Sequence, residues 1–157
     1  MRKMLIFLLL AGFFTAQGQS PKAITTGNIY KSIQNLNFLG TVLYVAAHPD
    51  DENTRLISYC VNELNADTYY LSLTRGDGGQ NLIGPEIREL LGVLRTEELL
   101  AARRVDGGKQ MFTRANDFGY SKNAEETINI WDSDKVKHDV VWAIRKVKPD
   151  VIINRFD

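Results

Sequence analysis

Cysteine is almost missing from this chain. Cys60 stands alone among 157 residues, so the chain forms no internal disulfide and has no cysteine-rich metal site. Its surroundings, "LISYCVNEL", read as a helix face on which a thiol acts as a small buried hydrophobe. A basic excess is missing too. Lys and Arg number 19 against 19 acidic residues, for a formal net charge of zero. Nothing in that balance holds a polyphosphate, which argues against a nucleic-acid partner. The two tryptophans and six tyrosines follow no regular spacing, so they make no stacking platform. Internal repeats and low-complexity linkers are absent as well.

No apolar run is long enough to span a bilayer comfortably. The longest, "MLIFLLLAGFF", opens the chain behind the basic start "MRK" and ahead of the small and polar "TAQGQS". That is the layout of a secretory signal peptide, expected over 1–19 with cleavage near Ala16 to Ser20. No cysteine follows it for lipid attachment, so no stable membrane anchor is expected after cleavage. Loss of Arg2 and Lys3 lowers the basic count from 19 to 17 against 19 acids. An export signal without disulfides suits a secreted or periplasmic bacterial protein. One domain is expected over 20–157.

What is present is an ordinary globular composition, 44% hydrophobic and 24% charged, enough to bury a core. "TVLYVAA" (41–47) is apolar throughout and rich in β-branched residues, the pattern of a strand buried on both faces. Further strands are expected at 68–74, 109–113 and 150–154. Helices are expected over 51–64, from Pro85 to about Val105, and over 133–147, with a helix-like spacing at 29, 33 and 36. Strand and helix alternate. The expected fold is therefore α/β, Rossmann-like, with a mostly parallel sheet and helices on both faces. Truncation on the C-terminal side is expected, since 157 falls just past a strand that reads as central.

The chemistry gathers where the first strand ends, in "VLYVAAHPDDENTR". His48 follows the strand, and Pro49 to Asp51 turn into the next helix, the junction where α/β proteins keep their sites. Imidazole and carboxylate are good ligands for zinc or iron(II). The 48/51 spacing lets a strand-end histidine and a carboxylate converge on one ion, with Pro49 stiffening the turn between them. Asp50 is left over to act as a base on a metal-activated water. A plainer reading competes. Acids in a first helical turn meet the helix dipole at about 0.3–1 kcal/mol each. That accounts for the acids but not for the histidine.

"AAHPDDE" after an apolar strand resembles the signature of the PIG-L/LmbE-like zinc-dependent de-N-acetylases. These include the N-acetylglucosaminyl-phosphatidylinositol deacetylases and the deacetylases of mycothiol and bacillithiol synthesis. The resemblance runs from about Thr41 to Asp157. It takes in "LTRGDGGQN" (73–81), the Arg95-x-x-Glu98 pattern in "IRELLGVLRTEELLAA", "DFG" (117–119) and "PDVIIN". It implies that His48 and Asp51 ligate Zn2+, with Fe2+ as the alternative ion, and that Asp50 is the general base. The family takes its third protein ligand from a downstream His-x-x-His-type block, which has no counterpart within 1–157. His138 is no substitute, since it lies off the apolar stripe of its helix. Asp157 is assigned no role.

Arg75 and Asp77, in the glycine-rich stretch after the second strand, are expected to face the same crevice and bind a hydroxyl-rich substrate, although a plain turn explains the glycines equally. No Gly-Lys-Ser/Thr follows, so the loop is not a Walker A motif. By helical spacing Glu98 falls inside the apolar arc with Leu91, Leu94, Ala101 and Val105. A carboxylate there needs a partner, Arg95, Arg75 or the second ring nitrogen of His48, unless the helix end exposes that face. Alternatively Arg95 turns into the crevice to bind substrate, as the resemblance implies. The expected activity is removal of an N-acetyl group from an N-acetylglucosamine-type sugar or glycoconjugate. The rival readings are a secreted carbohydrate-binding or scaffolding domain with an incomplete site, and a nucleotide-binding α/β domain. Oligomeric state is not legible.

Overall fold

The computed structural model describes residues 23–155. The expected signal peptide, its cleavage region and Asp157 lie outside the described residues. The chain divides into two compact units, Met1–Lys31 and Ser32–Asp157. Of the first, residues 23–31 are described, and they include the start of α1 (Thr26–Asn35); this helix carries Ile29 and Ile33 exposed.

The second unit alternates as expected: β1 (Thr41–Ala46), α2 (Thr54–Asn62), β2 (Asp67–Ser72), α3 (Glu89–Asp106), β3 (Lys109–Phe112), α4 (Ala124–Trp131), α5 (Ser133–Val147) and β4 (Val151–Asn154). The four strands form one sheet in the order β3-β2-β1-β4. Every pairing is parallel, with Leu43 opposite Tyr69 and Ile152, and Leu71 opposite Met111. All strand C-termini therefore share one edge. The neighbours of β1 change direction in sequence there, from β2 on one side to β4 on the other, which makes a switch point of the type where open α/β sheets bind ligands.

β1 is apolar because both its faces are covered. Tyr44 and Ala46 pack with Ile57, Tyr70 and Leu99, under α2 and α3. Leu43 packs with Leu71 and Ala143, under α5. Helices thus cover both faces. Each fully buried side chain of this size contributes about 1.5–3 kcal/mol. Cys60 is buried within α2, as expected.

Two helix starts differ from the sequence expectation. α2 begins at Thr54, not Asp51, and its cap is Asn53, whose side chain accepts from Leu56 N at 3.0 Å. The first turn holds no acid, so dipole capping does not account for Asp50, Asp51 and Glu52. α3 begins at Glu89, four residues after Pro85. It ends at Gly107, whose φ of +82° is the left-handed C-terminal geometry that favours glycine. α4 is a helix the sequence pattern did not announce.

Candidate active site

The loop from Ala47 to Glu52 leaves β1 at the C-terminal edge, and its backbone is tied down from several directions. Thr74 donates to the Ala47 carbonyl through N (2.9 Å) and Oγ1 (3.1 Å). The Tyr70 hydroxyl donates to the His48 carbonyl. Burial holds that phenol above its usual pKa, so it stays a donor. Arg155 Nε donates to the Asp51 carbonyl at 3.1 Å. The loop also closes on itself. His48 N donates to Asp51 Oδ2 (2.9 Å), and Asp51 N donates to the His48 carbonyl (3.2 Å). A carboxylate that bonds backbone three residues earlier offers the chain an alternative to helix, which is why α2 starts late.

This closure brings the two expected ligands together. His48 Nδ1 lies 3.2 Å from Asp51 Oδ2. Donors on a tetrahedral zinc with bonds of about 2.0–2.2 Å stand roughly 3.4 Å apart, so one imidazole nitrogen and one carboxylate oxygen at this spacing fit two corners of a zinc site. Among the described residues no group of three or more His, Cys, Asp or Glu side chains could hold a metal. His138 is exposed on α5.

The far ring nitrogen of His48 faces Asp117, with Nε2 at 3.8 Å from Oδ1. The Asp117 side chain is 5% exposed and also accepts from Gly119 N at 2.9 Å. Sequence reasoning saw only a turn here. Asp50 stands out from the loop, 72% exposed, with Oδ2 at 3.6 Å from Arg95 Nη2. His48, Asp50, Asp51, Arg95, Asp117 and Tyr120 line one cavity of about 380 Å³. A second cavity of about 470 Å³ opens beside Asp50 and Asp51 at the β1–β4 switch point, reaching Asn154 and Arg155.

Glycines bring the neighbouring loops this close. A Cβ on Gly78 would lie 2.4 Å from Gly119 N, so the loops after β2 and β3 meet backbone to backbone. Gly76 has φ +74°, and a Cβ there would lie a tight 3.1 Å from both Pro49 and Arg95.

Three expected placements are corrected. Arg75 is exposed and lines neither cavity. Asp77 does not line the His48 cavity and has its Cβ against Gly92 of α3. It is 8% exposed, lines an adjoining cavity that shares Gly79 and Asp117, and its Oδ1 has no hydrogen-bond partner. Glu98 is not in a buried arc: its side chain is 70% exposed, 3.9 Å from Arg95 Nε. The buried line of α3 runs instead through Leu91, Leu99, Arg103 and Asp106.

With this geometry in view, comparison with known proteins is informative. The family model described as PIG-L, GlcNAc-PI de-N-acetylase, matches residues 43–156. The chain belongs to that family. No curated protein gives a match. Among solved structures, the chain is similar to the 4-carboxy-2-hydroxymuconate hydratase of Pseudomonas putida, with 18% identity, a TM-score of 0.54, and coverage of 73% of this chain and 46% of that one. It is similar to a deacetylase of teicoplanin biosynthesis at 12% identity and TM-score 0.52, covering 73% and 54%. A triple mutant of a teicoplanin-pathway deacetylase gives 14% and 0.50, covering 73% and 50%. These likenesses establish the fold. The chain spans about half the length of each.

Proposed function

We propose that the protein is a metal-dependent de-N-acetylase that removes the acetyl group from an N-acetylglucosamine-type sugar or glycoconjugate. The observation that carries this reading is the 3.2 Å approach of His48 Nδ1 to Asp51 Oδ2, with Asp50 beside them on one cavity wall. Family membership supports it. His48 and Asp51 would hold zinc, or iron(II). Bound there, the ion would supply Lewis acidity, lowering the pKa of water towards about 7 and favouring negative charge on an amide oxygen.

The chain's own groups do the rest. Asp50 takes the proton from the attacking water and returns it to the leaving amine. Arg95, at 3.6 Å, steadies the Asp50 carboxylate and offers substrate a cationic donor from the same wall. Asp117 accepts hydrogen bonds from sugar hydroxyls or from the His48 ring. Amine and acetate are the products. The protein is read as secreted or periplasmic, acting on a small molecule or glycan.

The test is acetate release from N-acetylglucosaminides. Asp50→Asn is expected to lower the rate by about 10²–10⁴-fold and to leave metal binding intact. Wild-type rates in that variant would overturn the base assignment. The second reading, a carbohydrate-binding domain without catalysis, draws on the absence of a third donor among the described residues. Sugar binding without acetate release over a broad panel would favour it. The same fold also carries a hydratase, so hydration of an unsaturated acid belongs in that panel.

A further inference from the structure

Behind the His48 loop, on the α2–α3 face of the sheet, lies a buried ionic cluster that the proposed chemistry does not use. Arg103 is its hub. Its Nη2 donates to Asp106 Oδ2 at 2.6 Å, and its Nε reaches both Asp106 oxygens at 3.1 and 3.2 Å. Nη1 donates to Gln110 Oε1 at 3.2 Å. Nη2 also reaches Glu52 Oε1 at 3.4 Å, and the side chains of Arg103 and Glu52 are 4% and 6% exposed. The guanidinium carbon sits 5.3 Å from the centre of the Tyr70 ring. Two of these contacts run straight into the site. Glu52 follows Asp51 in the chain. Tyr70 holds the His48 carbonyl through its hydroxyl.

We propose that Arg103 is a positioning residue for the metal-binding loop: acting through Glu52 and Tyr70, it fixes His48 and Asp51 at the spacing a divalent cation requires. The inference rests on the metal reading given above. A stability role alone is poorly served by such a cluster, because replacing a buried ion pair with well-packed hydrophobic side chains of similar volume is often neutral or stabilising. What the planar fork adds is direction. It addresses Asp106 and Gln110 at the end of α3 and the start of β3, and Glu52 at the end of the His48 loop, from one rigid group. The metal loop is thereby referred to two other elements.

The test titrates cobalt(II) chloride into the full chain and follows visible absorbance, with thermal unfolding in parallel. His48→Ala is the control for the site. Arg103→Met is expected to weaken cobalt binding about 10-fold or more, the scale seen when supporting partners of metal ligands are lost. It also strands Glu52 and Asp106 and so destabilises the fold. The triple variant Glu52→Gln, Arg103→Met, Asp106→Asn removes those stranded charges. Its melting midpoint is expected to return towards wild type while the binding loss persists. Recovery of cobalt affinity together with stability would overturn the proposal, as would a triple variant that does not fold, since the cluster would then act on stability. A wild-type chain that binds no cobalt, or binding that survives His48→Ala, would instead strike the metal reading itself and this inference with it.

Discussion

The loops after β1 and β2 leave adjacent parallel strands at the same edge of the sheet, yet they are built differently. The first, from Ala47 to Glu52, carries the proposed ligands and base on a backbone pinned by Thr74, Tyr70 and Arg155. The second, from Thr74 to Gln80, carries three glycines. Its charged side chains do not line the His48 cavity: Arg75 is exposed and Asp77 has its Cβ against α3. One loop presents chemistry. The other gives up side chains so that backbone can approach Pro49, Arg95 and Gly119. Proximity to a site is therefore no guide to which charged residues serve it. The hydrogen bonds that fix the backbone decide that.

The largest effect that tests this contrast comes from the second loop. Gly78→Ala places a methyl 2.4 Å from Gly119 N and is expected to cost about 3 kcal/mol, the upper range of overpacking. Urea unfolding measures it. An unchanged midpoint would mean that the two loops do not meet as described. In the first loop, Tyr70→Phe removes the donor to the His48 carbonyl and is expected to cost about 0.5–1.5 kcal/mol, with weaker cobalt binding. Full cobalt affinity in that variant would show that the pinning is dispensable. Smallest of all is Arg75→Ala, expected to change stability by less than about 0.5 kcal/mol and to leave KM for the acetylated sugar unchanged. A raised KM would return Arg75 to the crevice.

The layer order and the His48–Asp51 pairing were legible because each depends on short-range pattern. "TVLYVAA" announces a doubly covered strand, and His48 and Asp51 stand only three positions apart. Glu98 was misplaced for a physical reason. The apolar arc drawn on α3 includes Leu94 and Val105, and both are exposed. The face that is buried ends in Arg103 and Asp106, which hydropathy assigns to solvent because it cannot see that they neutralise one another. The late start of α2 depends on Asp51 bonding back to His48 N, a choice invisible in helix periodicity. Tyr70 gave one weak signal: a phenol in a buried strand needs a partner for its hydroxyl. Nothing local said that the partner would be His48, 22 residues earlier. Asp117 offered less still, since its approach to His48 requires two loops to touch at glycines.

The central claim is that His48 and Asp51 grip one divalent ion at the mouth of the sheet. The most direct measurement is an anomalous-difference map from crystals of the zinc-soaked protein. The account predicts a single strong peak within about 2.0–2.2 Å of both His48 Nδ1 and an Asp51 carboxylate oxygen. A zinc peak bound elsewhere, with these two side chains turned apart, would contradict it.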